Sequence, residues 1–163
     1  MEVKKANEYQ VGGDHYAKAE VQHWDVVSRN NVGYLEGAAT KYLSRWRDKN
    51  GLEDLHKAKH FTVKLAELYV DKQRALGGKV KTEEVLQFVT SYKLNKMESA
   101  ACMYLLQWST VTDLYDAMAA IDSVISEAVK EGYRLKTKPA FHTIDNTGQA
   151  RPFGYDPDDI EGR

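Results

Sequence analysis

The sequence predicts an all-α protein: a helical bundle built from two related helical repeats, with an irregular N-terminal segment and an extended C-terminal tail. Three observations predict it. Apolar residues recur at three- and four-residue spacing through most of the chain. All three prolines fall at Pro139, Pro152 and Pro157, so residues 1–138 hold no proline to break a helix. An eleven-residue segment occurs twice with its apolar positions kept. No convincing strand series is present, and short strands are admitted only in the first 22 residues and in the tail.

Taken in order, residues 1–23 form an N-terminal segment around YQVGGDHY (9–16). Residues 24–78 form a first, basic unit. Within it Leu35, Ala38, Ala39, Tyr42, Leu43 and Trp46 make one apolar stripe, predicting a helix over 34–49. Leu52, Leu55, Ala58, Phe61, Leu65, Leu68 and Tyr69 do the same over 52–76, after a short Asn50-Gly51 turn. Residues 79–132 form a second, acidic unit. Asn95 followed by Glu98 predicts a capped helix start, Thr112 before Asp113 another, and Gly132 a C-terminal stop. Gly37 is the one glycine inside a predicted helix. It costs about 1 kcal/mol there relative to alanine, which points to close packing or the approach of a ligand. Residues 133–163 are the tail, read as an arm that packs on a neighbour or moves over the site. Its last four residues, IEGR, read as a protease-recognition sequence and are given no function.

The repeat pairs EGAATKYLSRW (36–46) with ESAACMYLLQW (98–108) at an offset of 62, with six of eleven positions identical. After a three-residue shortening, DLHKA (54–58) pairs with DLYDA (113–117). The shared residues suit packing, and the differing ones suit an anion. Lys41 becomes Met103, Arg45 becomes Gln107 and Lys57 becomes Asp116. Residues 24–76 hold ten basic and seven acidic side chains, and residues 82–131 three and eight. A net charge of −1 therefore excludes a long nucleic-acid track but leaves room for a local phosphate site. The longest apolar run, Ala100–Leu106, is far short of the ~20 residues of a membrane helix. MEVKKANEYQ is not of signal-peptide type, and a lone Cys102 fits a reducing cytoplasm.

Two constellations can carry chemistry. Lys41, Arg45 and Lys49 lie at spacings of four, and Lys57, His60 and Lys64 lie on the next predicted helix. An antiparallel pairing brings them to one groove. They read either as a phosphate site or as a solvated face paired with Glu36, Asp48, Glu53 and Asp54. Gly12 and Gly13 can form a backbone nest for an anion, with Asp14 and His15 beside it, or a plain turn. Tyr16, Trp24, Tyr34 and Tyr42 offer aromatic faces for a base; Trp24 and Trp46 equally suit the core. His56 and His60, spaced i, i+4, can share a metal, but the sequence fixes no further ligand. No G-x-x-x-x-G-K-[ST], G-x-S-x-G, H-E-x-x-H or C-x-x-C is present.

These motifs carry a resemblance. Y-x-V-G-G-D-H-Y, then Gln22, Trp24 and Asp25, then E-G-x-x-x-K-Y-L-x-R from Glu36, then K-N-G-x-E-D-L-x-K-A-x-H from Lys49, resemble the SaV-like, domain-of-unknown-function 3310 family. The resemblance covers roughly residues 9–70. His23 departs from it where proline is common, and Trp46 where another aromatic is. The family includes phage nucleotide kinases, so the resemblance implies a nucleotide kinase without a Walker loop, in a host cytoplasm. ATP or a dNTP would be the phosphoryl donor and a deoxynucleoside monophosphate the acceptor, with magnesium undefined by the sequence. His15, Lys41, Arg45 and Asp54 are then the expected catalytic residues. Gly12, Gly13, Tyr16, Trp24, Glu36, Tyr42, Lys49, Lys57 and His60 are the expected substrate contacts. The alternative is a non-catalytic protein that binds nucleotides or a host factor. A helical pyrophosphatase is disfavoured, because no E-x-x-E pair lies between residues 24 and 60. A homo-oligomer is expected, since two short helical units leave apolar faces for neighbours to cover.

Overall fold

The structure, a computed structural model, describes residues 6–8, 19–71, 79–135, 142–144 and 150–152. Among the described residues there are six α-helices: α1 (His23–Arg29), α2 (Tyr34–Arg45), α3 (Leu52–Val70), α4 (Thr82–Ser91), α5 (Lys96–Gln107) and α6 (Val111–Lys130). The expected all-α class is what the chain adopts. In the tail, β1 (His142–Ile144) and β2 (Ala150–Pro152) pair antiparallel, with Thr143 opposite Arg151.

The helices end where local chemistry stops them. α2 runs to Arg45 rather than Lys49, because the chain tightens into a 3-10 turn over Trp46–Asp48. Gly51 then takes φ 58° before α3, a left-handed conformation open to glycine at little cost. A Cβ there would also come within 3.2 Å of the Tyr133 ring. Asn95 caps α5 through the predicted capping box with Glu98. At α6 the cap is Thr110 rather than Thr112: Asp113 is the third helical residue, and its carboxylate reaches back to the Ser109 and Thr110 backbone N–H groups. Those bonds hold the Asp113 carboxyl below its ordinary pKa. Gly132, at φ 97°, follows the end of α6 as expected.

Element ends recur at the two offsets of the sequence comparison. α2 and α5 begin at Tyr34 and Lys96 and end at Arg45 and Gln107, each a shift of 62. α3 and α6 begin at Leu52 and Val111, a shift of 59. The turns before α2 and α5 match bond for bond. Asn31 and Lys93 both take positive φ, 50° and 53°. The Val32 N–H donates to the Val27 carbonyl, and the Leu94 N–H to the Val89 carbonyl, each at 3.0 Å.

One core serves both halves. Leu43, Trp46, Leu55 and Leu65 from the first pack with Phe88, Leu105, Leu114 and Ile121 from the second. Burying each such side chain is worth about 2 kcal/mol. α2 packs on α3 and α5 on α6; across the halves, α3 packs on α6 and α2 on α5. Two buried bonds cross the seam reciprocally. Trp46 Nε1 donates to Glu98 Oε1 at 2.8 Å, and Trp108 Nε1 donates to Glu36 Oε1 at 3.0 Å. Each partner pair is related to the other by the offset of 62, as across a two-fold interface. Among the described residues, no helix is long and apolar enough to cross a membrane.

Candidate functional site: the α2–α3 face

The short turn after Arg45 sends α3 back along α2, and this register assembles the site. Arg45, in the last turn of α2, meets Asp54 in the first turn of α3, with Nε 3.2 Å from Oδ2. Asp54 is fully buried and also accepts from Asn50 Nδ2 at 3.0 Å. One turn further, Lys57 lies 5.7 Å from the centre of the Tyr42 ring, and Arg45 Cζ lies 4.9 Å from the same centre. The negative face of the ring favours a cation near it. Tyr42 in turn stacks on Phe61 at 5.8 Å, with 19° between planes, and Tyr34 meets Phe61 edge-on.

Beside this strip lies a pocket of about 240 Å³ between α1, α2 and α3. His23, Gly33, Gly37, Lys41, Tyr42 and Phe61 line it. His23 is buried, with Nε2 3.0 Å from Thr40 Oγ1 and its ring tilted against Phe88. Burial, then the nearby Lys41 charge, lowers its pKa from 6.5 to about 4, so the imidazole is neutral at pH 7. Lys41 is exposed at the pocket, and among the described residues no acid forms an ion pair with it.

The expected cation cluster is thus brought together in part. Arg45 and Lys57 meet at the Tyr42 ring, and Lys41 lines the adjoining pocket. Two of them arrive already paired: Arg45 with Asp54, and Lys57 with Glu53 at 2.6 Å, which raises the Lys57 pKa. Lys49 is half-buried just after the 3-10 turn and has partners of its own. Lys64 pairs with Glu67. His60 is exposed on α3 and does not line the pocket. Glu36 is 2% exposed, its carboxylate engaged by Trp108. Trp24 and Trp46 part company: Trp46 is core, whereas Trp24 is 47% exposed and donates to Asn7 Oδ1 at 2.7 Å. Asn7 also bonds Gln22 and Asp25, tying the 3-10 turn at Ala6–Glu8 to α1. Gly12, Gly13, His15 and Tyr16 lie outside the described residues.

Sequence reasoning missed His23 and Phe61 as site residues. Phe61 sits four residues after Lys57 on the apolar stripe and read as core. His23 carried no signal beyond standing where the resembled family has proline.

In the second half the equivalent face is built for packing. Gln107, in the place of Arg45, donates to the Val80 carbonyl and to Thr82 Oγ1, both at 3.0 Å, and Met103 packs against the core. The cationic, aromatic-walled face is a property of the first half.

Fold and site together define an all-α protein with a pocket formed by its first three helices and lined by aromatic residues, His23 and Lys41. Residues 3–62 match the family described as Protein of unknown function (DUF3310), a span covering α1, α2 and the first half of α3. No curated protein and no solved structure matches the chain.

Proposed function

We propose that the α2–α3 face is a nucleotide site and that the protein is a nucleotide kinase. It would pass a phosphoryl group from ATP or a dNTP to a deoxynucleoside monophosphate. The observation that carries the reading is the meeting of Arg45 and Lys57 at the Tyr42 ring, beside a pocket that Lys41 lines, in the half whose counterpart replaces all three cations. Phosphoryl transfer asks mainly for positioning and for charge to offset the phosphates. Arg45, held from below by Asp54, is a fixed donor; Lys41 supplies a cation without an acid partner among the described residues. Magnesium would arrive with the triphosphate. The two halves are read as copies of one unit, the first bearing the ligand and the second supporting it.

The test is incubation with a panel of dNMPs and labelled ATP or dNTP, with and without magnesium. Formation of dNDP, reduced ~100-fold or more in Lys41→Met, supports the kinase. Lys41 is exposed, so this variant should fold as wild type does.

A second reading, a non-catalytic protein that binds nucleotides or a host factor, is favoured by the pairing of Arg45 and Lys57 with Asp54 and Glu53. Paired cations attract an anion less than bare ones do. Nucleotide binding without turnover would select it. Absence of any nucleotide binding would remove the kinase and the nucleotide-binding form of the second reading.

A further inference from the structure

We propose that the pocket between α1, α2 and α3 seats the planar base of the nucleotide, and that Gly37 is glycine to admit it. This deepens the nucleotide reading above and rests on it for the phosphate side. Four observations carry it.

The first is Gly37 itself. It lies inside α2, where glycine weakens the helix relative to alanine. Its φ is not in the left-handed region, so no backbone strain calls for glycine. A Cβ placed on it would meet only the Val27 methyls, at 3.5 Å, an ordinary contact. Packing within the protein therefore gives no reason for the missing side chain. Gly37 lines the pocket, and a backbone bare of side chain there is what a closely approaching ligand requires.

The second is size. At about 240 Å³ the pocket falls below the ~300–1,000 Å³ typical of sites that enclose a whole drug-sized ligand. It takes one ring system and leaves the rest of a nucleotide outside.

The third is the arrangement of the walls. Tyr42 and Phe61, stacked on each other, form an aromatic side against which a planar ring can pack. His23, neutral at pH 7, offers a polar edge without a charge. Lys41 lies at the pocket, and Arg45 and Lys57 beside Tyr42, so phosphates leaving the base would meet cations.

The fourth is the comparison of the halves. At the matching positions Gly37 becomes Ser99, Lys41 becomes Met103, His23 becomes Val85 and, at the second offset, Phe61 becomes Ala120. The residues that hold the fold, Glu36 with Glu98 and Trp46 with Trp108, stay the same. Of the nine residues that line this pocket, Val27, Ala38 and Tyr42 keep their identity in the second half and the other six differ.

The experiment measures binding of dNMPs, of deoxyribose 5-phosphate and of free deoxynucleosides by calorimetry and NMR. It uses the full chain, Gly37→Leu, which fills the pocket, and Gly37→Ala, whose Cβ has room and which should melt no lower than wild type. We expect wild type to bind at least one dNMP tenfold or more tighter than deoxyribose 5-phosphate. Gly37→Leu should erase that preference while leaving deoxyribose 5-phosphate within twofold. If Gly37→Leu does not fold, Gly37→Ala decides, with a threefold or greater loss confined to the base-bearing ligand. Equal affinity of wild type for dNMP and deoxyribose 5-phosphate would overturn the base pocket while leaving phosphate binding intact. So would a folded variant with an unchanged preference, or one that loses both ligands alike. Failure of both phosphate ligands would overturn the functional reading instead. In that case free deoxynucleosides at millimolar concentration judge the pocket, by shifts at Gly37 and Phe61 that Gly37→Leu abolishes or by no shifts at all.

Discussion

Trp46 and Glu98 form a buried bond across the seam between the halves, and Glu98 is the more heavily used partner. Its carboxylate accepts from the Trp46 indole, from Arg47 and from the Asn95 backbone N–H, so one fully buried side chain closes the seam and caps α5. Removing it leaves several donors without an acceptor. Glu98→Ala is expected to cost about 3 kcal/mol, read as a lowered urea midpoint. Trp46→Phe keeps the ring and removes one donor, so about 1 kcal/mol is expected from it. The two losses should add to more than the loss of the double variant, because both delete the same bond. Strict additivity would mean that the bond contributes nothing.

Arg45 and Asp54 set a limit on copying the second half into the first. Arg45→Gln reproduces Gln107, yet Gln107 has no buried acid to answer. Asp113, the counterpart of Asp54, is satisfied by the backbone at the start of α6. Asp54 is buried under Arg45 and otherwise accepts from Asn50, so Arg45→Gln strands a buried carboxylate. A loss of about 3 kcal/mol is expected, with much of it recovered in Arg45→Gln with Asp54→Asn. Chemical denaturation of wild type and the two variants decides, and a neutral single variant would mean that Asp54 does not depend on Arg45.

The fold was legible wherever its cause was local. Helical periodicity placed α2 and α3, the Asn95–Glu98 pair announced its capping box, and the spacing of Lys41, Arg45 and Lys57 around a short turn implied their convergence. Thr112 was mistaken for the α6 cap because Asp113 beside it is equally at home as the third residue of a box begun at Thr110. The Glu and Trp shared by both halves were readable as packing residues. That each Trp reaches the other half's Glu is tertiary, and no spacing within one unit encodes it. His23 was illegible for the same reason: Thr40 and Phe88, 17 and 65 residues away in sequence, make it a buried neutral group. The GGDH segment falls outside the described residues, so the nest expected there enters none of these arguments.

Cys102 offers a reporter of opening. It is fully buried in α5, and burial followed by the Glu98 charge pushes its thiol pKa far up. A thiolate is the reactive form, so the native protein should resist a thiol reagent. Labelling should proceed only through unfolding and should accelerate in Glu98→Ala in step with its loss of stability. Rapid labelling of the folded wild type would contradict the packing of α5.

His23 makes stability fall with acid in a definable window. Its folded pKa, about 4, lies below the ordinary 6.5 of the unfolded chain. As pH falls through 6.5 the unfolded state takes up a proton that the native state refuses, so stability drops. The contribution is complete above about pH 6.5 and is lost progressively down to about pH 4, where the native imidazole also protonates. A gap of that size corresponds to about 3 kcal/mol across the window. His56 and His60 are exposed, and they remain in the comparison protein as the background. His23→Gln, which keeps a polar group beside Thr40, should therefore flatten the slope of unfolding free energy between pH 6.5 and 4.5 relative to wild type. Urea titrations at intervals of half a pH unit measure it, and NMR titration of the imidazole gives the folded pKa directly. A native His23 that titrates near 6.5, or a variant with the wild-type slope, would show that the ring meets water rather than the wall of the α1–α2 pocket.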